Sequence, residues 1–239
     1  MQPILHLHNF LTDLPVAIRE EIYAATHFRQ VAAEEFVYQQ GHSPDFMAQV
    51  IDGEVKLCIY SAEGREIITA SFRSGDCFGE LGLIDGLPRM TSAVAVLPTK
   101  LRVLRASSFQ FFYQKYPELS RAINLFMSRH VRLLYEFSEE AKSLNLHQKL
   151  GRTLCRLGHS HGSATDEGGV MLSTSHEELA KLLGASRQSV SKELKALERE
   201  GVITIRYNKL LIHSLVALEK EYAALFSSAP FAASYQDPS

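Results

Sequence analysis

The stretch STSHEELAKLLGASRQSVSKELKALEREGVITIRYNKLLIH (173–213) carries the clearest structural signal in the chain. Ser175, followed three residues later by Glu178, has the spacing of a capping box and predicts the start of a helix. Apolar leucines then give this helix a buried side. Gly184 permits a sharp reversal of the backbone because glycine tolerates positive φ. A short helix that ends in a tight turn is therefore predicted.

A second helix follows directly. Ser186 can cap it, and the helix is predicted to run to about Glu200, with Gly201 ending it. Its inward residues are Val190, Leu194 and Leu197. The next segment, VITIRYNKLLIH (202–213), is predicted to form a two-stranded wing. Helix, turn, helix and hairpin in this order predict a winged helix-turn-helix.

The outward side chains of this segment suit double-stranded DNA. Arginine and glutamine can make paired hydrogen bonds to guanine and adenine edges, and lysine and serine suit phosphates. The residues predicted to bind DNA are Ser175, Ser186, Arg187, Gln188, Ser189, Ser191, Lys192 and Lys195. The alternative interpretation is an amphipathic helical hairpin whose charged side is simply hydrated.

Composition agrees with a soluble globular protein of 239 residues and a net charge of -2. Residues 1–147 carry 14 basic and 17 acidic side chains, whereas residues 148–222 carry 11 and 9, so positive charge is biased toward the C-terminal third. No signal peptide or membrane-spanning run is present in the sequence. Three widely spaced cysteines make a disulfide framework improbable, and a cytoplasmic location is expected.

From Val31 to about Arg105 the sequence consists of short β-prone runs separated by glycines. Many short strands at this spacing predict a closed barrel or jelly roll rather than βαβ units. The expected fold class is therefore α+β, with an antiparallel β-roll before the helical C-terminal part.

A long helical pattern without glycine or internal proline extends from Pro117 to Gly151. A heptad counted from Ile123 places an apolar seam along it, formed by Ile123, Phe126, His130, Leu133, Phe137 and Leu144. A narrow seam on a helix of this length predicts dimerisation through a coiled coil, and so a homodimer. The alternative is that the stripe packs on the β-roll of its own chain.

These patterns divide the chain into four parts. Residues 1–117 are predicted to form the β-roll and residues 118–146 the dimerisation helix. Residues 147–222 are predicted to form the winged helix-turn-helix domain, and residues 223–239 a C-terminal tail.

The run FGELGLIDGLPRMTSAVA (78–95) resembles the phosphate-binding cassette of cyclic-nucleotide-binding domains. Together with the C-terminal motif, the chain resembles the catabolite-activator/FNR superfamily of bacterial regulators over about 31–213. The resemblance implies a sensor β-roll, dimerisation through the long helix, and reorientation of the DNA-binding domains by an effector. It also implies a palindromic operator and contact with RNA polymerase.

The resemblance further implies particular effector contacts. Glu80 matches the residue that holds the ribose 2′-hydroxyl, and Arg89 the residue that pairs with the cyclic phosphate; a guanidinium is a natural partner for a buried phosphate. Cyclic AMP is thus a candidate effector, with an unidentified effector or none as alternatives. The predicted effector-binding residues are Gly79, Glu80, Leu81, Arg89, Met90, Leu134 and Tyr135. The competing interpretation is a structural Glu80–Arg89 ion pair.

Two positions depart from the cAMP receptor of this superfamily. Met90 stands where that receptor has a phosphate-contacting serine. Leu134 and Tyr135 align with its adenine-contacting polar pair, and leucine cannot replace a hydroxyl. The effector is therefore left open by the sequence.

Other kinds of sensor and site are less well supported. No cysteine precedes Cys58, which argues against an N-terminal iron–sulfur cluster, whereas His42 and His130 are candidates for a haem ligand. Cys155, His159 and His161 have irregular spacing for a metal site, so none is predicted. No nucleophile–base pair indicates an enzyme. A module that acts through protein contacts alone is the alternative function, and the outward Arg187, Gln188 and Lys192 favour DNA.

Overall fold

The computed structural model describes residues 2–5, 7–61, 63–64, 66–166, 168–222 and 231–234. The chain divides into two compact units. The N-terminal unit comprises residues 6–129, and the C-terminal unit comprises residues 130–239 together with residues 1–5.

The N-terminal unit is built mainly from short strands. Strand β1 (Gln2–Leu5) belongs to the C-terminal unit, and the N-terminal unit begins with a 3₁₀ turn at Phe10–Asp13 and helix α1 (Val16–Ala24). Its strands are β2 (His27–Val31), β3 (Phe36–Tyr38), β4 (Phe46–Asp52), β5 (Glu54–Tyr60), β6 (Glu66–Arg73), β7 (Cys77–Phe78), β8 (Ser92–Ala95) and β9 (Thr99–Arg105). Its helices after α1 are α2 (Leu81–Asp85), α3 (Ala106–Lys115) and the first part of α4 (Pro117–Ser143).

The strands form two four-stranded antiparallel sheets, in the orders β2-β9-β4-β7 and β3-β8-β5-β6. Their inner faces share one apolar core, to which Val50, Val55 and Leu101 contribute fully buried side chains. The alternation of inward and outward residues along each strand explains why the β-prone runs are only half apolar. The predicted α+β class with an antiparallel β-roll is confirmed.

A second core lies between the helices of the N-terminal unit and its sheet. Leu119, Ile123 and Phe126 of α4 are buried there, where they contact residues such as Phe10 and Phe109. Ile123 and Phe126 therefore pack inside their own chain, as the alternative interpretation of the apolar stripe predicted. The heptad counted from Ile123 was wrong for these two residues.

The rest of α4 leaves a different apolar face in solvent. Leu133 is buried like Ile123, whereas Val131 and Leu134 are exposed. With Ser138 and Ala141, which are also exposed, they repeat at intervals of three and four residues. This spacing is that of a coiled-coil seam. One helix thus carries two stripes, and the heptad count combined the buried Ile123, Phe126 and Leu133 with the exposed Phe137.

Among its described residues, the C-terminal unit contains β1, the end of α4, five further strands and four further helices. Its elements after α4 are α5 (Leu146–His161), β10 (Ser163–Ala164), β11 (Val170–Leu172), α6 (His176–Leu183), α7 (Arg187–Arg199), β12 (Ile203–Arg206), β13 (Lys209–Ile212), α8 (Leu215–Tyr222) and β14 (Phe231–Ser234). The strands β10-β11-β13-β12 form one antiparallel sheet in that order. Helices α5 to α8 bury Leu154, Leu179 and Val190 against it.

Two details differ from the sequence-based predictions. The polar segment 159–169 has the composition of a loop, but it contains the end of α5 at His161 and strand β10, which pairs with β11. Within the predicted C-terminal tail, β14 pairs in parallel with β1. Residues 223–230 and 235–239 of that tail lie outside the described part of the chain.

Candidate effector site and nucleic-acid interface

Near the start of the cassette, the backbone conformation requires a glycine. Gly79 has φ of 87° and lies between β7 and α2. A Cβ atom built there would lie 2.9 Å from Nη1 of Arg89. Glycine therefore allows the chain both to adopt positive φ and to approach the guanidinium closely.

Arg89 is buried, and its guanidinium is held by backbone carbonyls. Its Nη1 donates to the Gly79 carbonyl at 2.7 Å and its Nη2 to the Phe46 carbonyl at 2.5 Å, with Asp45 Oδ1 at 3.4 Å. The guanidinium also lies over the Tyr38 ring, 4.2 Å from its centroid. Its Nε is buried without a hydrogen-bond partner among the described residues. Arg89 is thus fixed in position but not fully satisfied.

Glu80, next to Gly79, is buried as well, with 6% of its surface exposed. Its Oε2 has no hydrogen-bond partner in the described part of the chain. Burial raises the pKa of this carboxyl to about 7, although a backbone hydrogen bond and the charge of Arg89 act in the opposite direction. No direct ion pair joins Glu80 to Arg89 among the described residues, so the structural ion pair considered above is not present.

The remaining predicted effector residues lie at the surface. Leu81 and Met90 are exposed, Met90 by 68%. Leu134 and Tyr135 are exposed on the part of α4 that belongs to the C-terminal unit, and their contact with an effector stays a prediction. Tyr38 and Phe46, which hold Arg89, were missed, because both precede Arg89 by more than forty residues and no local pattern links them to it.

The two helices of the C-terminal motif begin as predicted. Ser175 Oγ accepts from the Glu178 amide at 3.2 Å, and Glu178 Oε2 accepts from the Ser175 amide at 2.6 Å, which completes the capping box. Gly184 ends α6 with φ of 60°. Ser186 Oγ then accepts from the Ser189 amide at 3.1 Å and caps α7. Ser175 and Ser186 therefore fix the two helix ends.

Helix α7 presents its polar residues to solvent. Val190, Leu194 and Leu197 are fully buried on its inner side. Its exposed residues include Arg187, Gln188, Ser189, Lys192 and Lys195. The wing that follows turns at Tyr207 and Asn208, and Tyr207 is 93% exposed. The first turns of α7 thus form a solvent-facing surface with guanidinium, amide, hydroxyl and ammonium groups and a net positive charge.

Ser191 differs from its neighbours. It is half-buried, and its Oγ lies 2.7 Å from Nδ1 of His176, the first residue of α6. Sequence reasoning missed His176, although its position directly after a cap residue is where backbone phosphates are often bound.

No group of three or more histidine, cysteine or acidic side chains that could hold a metal occurs in the part of the chain that the structure describes. In the loose cluster considered above, Cys155 is buried, His159 contacts Glu219, and His161 contacts Ser160. Within the described ranges, no helix has the length and apolar character needed to cross a membrane.

Two models of known protein families match these two regions. Residues 28–116 match the cyclic nucleotide-binding domain, and residues 148–221 match the Crp-like helix-turn-helix domain. The chain belongs to the catabolite-activator/FNR superfamily. It is accordingly a DNA-binding transcription regulator with an effector-sensing domain, which confirms the expectation from the two motifs. Regulators of this superfamily bind DNA and act as dimers.

Individual relatives agree with this membership. The transcriptional regulator LdrP of Thermus thermophilus is 26% identical over 201 residues, covering 84% of this chain and 100% of its own length. The cAMP-activated global transcriptional regulator CRP of Escherichia coli is 22% identical over 188 residues, which cover 78% of this chain and 90% of the length of CRP. The structure of the c-di-GMP responsive regulator CLP of Xanthomonas campestris superposes on this one with a TM-score of 0.75 at 23% identity. The superposition covers 84% of this chain and 100% of the CLP chain.

Proposed function

We propose that this superfamily member binds a palindromic double-stranded operator as a homodimer, reads each half-site with α7, and contacts RNA polymerase from the bound position. The observation that carries this proposal is the exposed first half of α7, where Arg187, Gln188 and Lys192 face solvent while Val190 and Leu194 fix the opposite side. A rigid helix with this face fits the major groove.

Each side chain has a proposed role. Arg187 and Gln188 stand at the start of α7, the end that enters the groove, and so read base edges. Glutamine pairs best with adenine, whose N6 and N7 offer a donor and an acceptor. Lys192 and Lys195 contact phosphates or the adjoining groove. Arg206 and Lys209 at the wing add positive charge next to this surface.

The proposed effector is a nucleotide whose phosphate is bound at Arg89 and whose ribose hydroxyl is bound at Glu80. Its support is the pair of buried atoms without partners, Arg89 Nε and Glu80 Oε2, since a ligand that accepts at one and donates at the other would satisfy both. When bound, such a group would supply one negative charge and a hydroxyl donor. Met90 offers the phosphate no hydroxyl. The relatives include one named for cAMP and one for c-di-GMP, so both belong in a binding test.

The proposed dimer contact is the exposed face of α4 formed by Val131, Leu134, Ser138 and Ala141. Val131→Glu should convert the dimer to a monomer, because it would bury an unpaired charge in the contact. Leu125→Glu is the matched control, since Leu125 is exposed on the opposite side of α4. Light scattering that found a 26.8 kDa particle for the unaltered chain at micromolar concentration would contradict the dimer.

Selection from a random DNA library tests the whole proposal. Recovery of a palindrome with half-sites about one helical turn apart is the expected result. The selection is run without nucleotide and with cAMP, cGMP or c-di-GMP. Recovery of no motif under any of these conditions would favour a module that acts through protein contacts, and an asymmetric motif would refute symmetric reading by a dimer. We further propose that the protein acts in the cytoplasm and has no catalytic activity.

A further inference from the structure

His176 connects the two helices of the helix-turn-helix at the surface that α7 presents. It is the first residue of α6, it is half-buried, and its Nδ1 lies 2.7 Å from the hydroxyl oxygen of Ser191 on α7. Ser191 lies one turn after Arg187, on the segment that reads DNA in the proposed function. The imidazole therefore stands where it contacts a side chain of the interface.

The groups around this imidazole are mostly cationic. Partial burial lowers the pKa of His176, and the charges of Arg187 and Lys195 on α7 lower it further. On α6 itself the nearest acidic residues are Glu177, which is exposed, and Glu178, whose carboxylate is held in the capping box by the Ser175 amide. In the free protein at neutral pH the ring is therefore uncharged.

The direction of the His176–Ser191 hydrogen bond depends on this charge. A neutral ring with its proton on Nε2 accepts at Nδ1, so the Ser191 hydroxyl hydrogen is used inside the protein. A protonated ring donates from both nitrogens, so Nδ1 donates to Ser191 Oγ and the hydroxyl hydrogen becomes free to donate elsewhere. One proton on His176 thus changes Ser191 from an occupied donor to an available one.

We propose that His176 is part of the DNA-binding surface and that protonation of its ring switches Ser191 into a hydrogen-bond donor toward the DNA. This inference rests on the proposed function. The phosphates of bound DNA add negative charge that offsets the charges of Arg187 and Lys195, and this favours the imidazolium. Binding then takes up a proton at each half-site, so affinity must rise as pH falls.

Fluorescence anisotropy of the full-length protein with the selected duplex, measured between about pH 8 and pH 5.5, tests this inference. A gain in affinity of about tenfold per half-site is expected toward low pH, which corresponds to a pKa that rises by about one unit on binding. His176→Gln keeps a hydrogen-bonding side chain but cannot titrate, so its affinity should be nearly independent of pH. Calorimetry in buffers of different ionisation enthalpy should count the protons taken up.

Ser191→Ala tests the contribution of the Ser191 hydroxyl apart from that of the charge on the His176 ring. It should weaken binding at low pH, where the hydroxyl is free, and change little at high pH, where the hydroxyl is occupied within the protein. His213→Gln is the matched control, because His213 lies in the same unit but contacts Thr204 and the Gly201 carbonyl. It should keep the pH dependence of the unaltered protein.

Two results would overturn the inference. If His176→Gln binds the duplex with an unaltered dependence on pH, the proton is taken up elsewhere and His176 has no such role. If affinity for the duplex does not change with pH in the unaltered protein, no proton is linked to binding. Failure to bind any duplex at any pH would instead reject the proposed function, on which the inference rests. An unchanged urea transition shows that each variant is folded.

Discussion

Glu80 and Arg89 of the cassette are almost completely buried, whereas Arg187, Gln188 and Lys192 of α7 are exposed. Burial removes water from a charge, so the cassette has to supply fixed partners, and Arg89 is accordingly surrounded by two carbonyl groups and the Tyr38 ring. The residues of α7 keep their hydration until DNA arrives. The cassette therefore suits one small ligand with matching groups, and α7 suits an extended polyanion.

The difference has energetic consequences. A buried charge interacts strongly over short distances and is little affected by salt, whereas exposed charges are screened within about 10 Å at 0.1 M salt. Single substitutions in the cassette should consequently have large effects that salt barely changes. Substitutions on α7 should have smaller effects that depend on salt or on DNA sequence. Four predictions test this contrast, beginning with the largest effect.

Arg89→Ala should reduce nucleotide binding by roughly 100-fold or more, because removing one partner of a buried charge pair costs about 3–5 kcal/mol. Isothermal titration calorimetry with the nucleotide that gives the strongest signal measures the loss. Arg102→Ala is the matched control, since Arg102 also stacks on a tyrosine of the same unit. Its guanidinium carbon lies 3.8 Å from the centroid of the Tyr23 ring. Equal losses in the two variants would contradict a specific role for Arg89.

Glu80→Gln should change how stability depends on pH. Burial raises the pKa of Glu80 from its ordinary value of 4.5 to about 7 in the folded protein, so the folded state holds this proton more tightly. The stabilisation is complete below the unfolded pKa and is lost as pH rises through about 7. At pH 8 the variant should therefore be more stable than the unaltered protein by about 3 kcal/mol.

Urea denaturation at several pH values measures this effect. Glu21→Gln is a control that should change the dependence of stability on pH in the opposite direction, because hydrogen bonds from Lys115 and Tyr116 lower the pKa of Glu21. Its contribution is present above the unfolded pKa and is lost as pH falls. If Glu80→Gln and the unaltered protein show the same dependence on pH, the Glu80 carboxyl is not buried as described.

The two regions also differ in how much of their structure the sequence could predict. The signals that start α6 and α7 are local: the caps at Ser175 and Ser186 lie three residues from their partners, and the buried side of α7 follows the helical period. The predicted end at about Glu200 differs by one residue from the observed end at Arg199. The exposed side of α7 was therefore predictable, whereas the contact of His176 with Ser191, which spans fifteen residues, was not.

The cassette depends on distant parts of the chain. Its motif identified Glu80 and Arg89, but the partners of Arg89 come from β3 and β4, which only the folded sheets bring next to it. The heptad count on α4 placed Ile123 and Phe126 in an intermolecular seam for a related reason. Both stripes on that helix are apolar at similar spacing, and periodicity alone does not distinguish a contact within one chain from a contact with another.

Arg187→Ala should weaken binding to the selected operator by about 1–3 kcal/mol per half-site and relax the preference at one base pair. The reason is that a lost base contact removes discrimination, while phosphate contacts elsewhere remain. Repeating the library selection with the variant shows which position is relaxed. Arg199→Ala, at the far end of α7, is the control and should leave the selected motif intact. A motif unchanged by Arg187→Ala would mean that Arg187 does not read a base.

Lys195→Ala should have the smallest effect, because an exposed lysine that meets only phosphate contributes a screened charge. All DNA sequences should be weakened alike, and the slope of log affinity against log salt should fall by about one per half-site, since one fewer counterion is released. Anisotropy between about 50 and 200 mM salt measures the slope on the selected operator and on an unrelated duplex. Lys220→Ala removes the same charge from α8 and should leave the slope unchanged. A loss confined to the operator would show instead that Lys195 reads sequence, and the recognition surface would then extend a further turn along α7 than Arg187, Gln188 and Lys192 indicate.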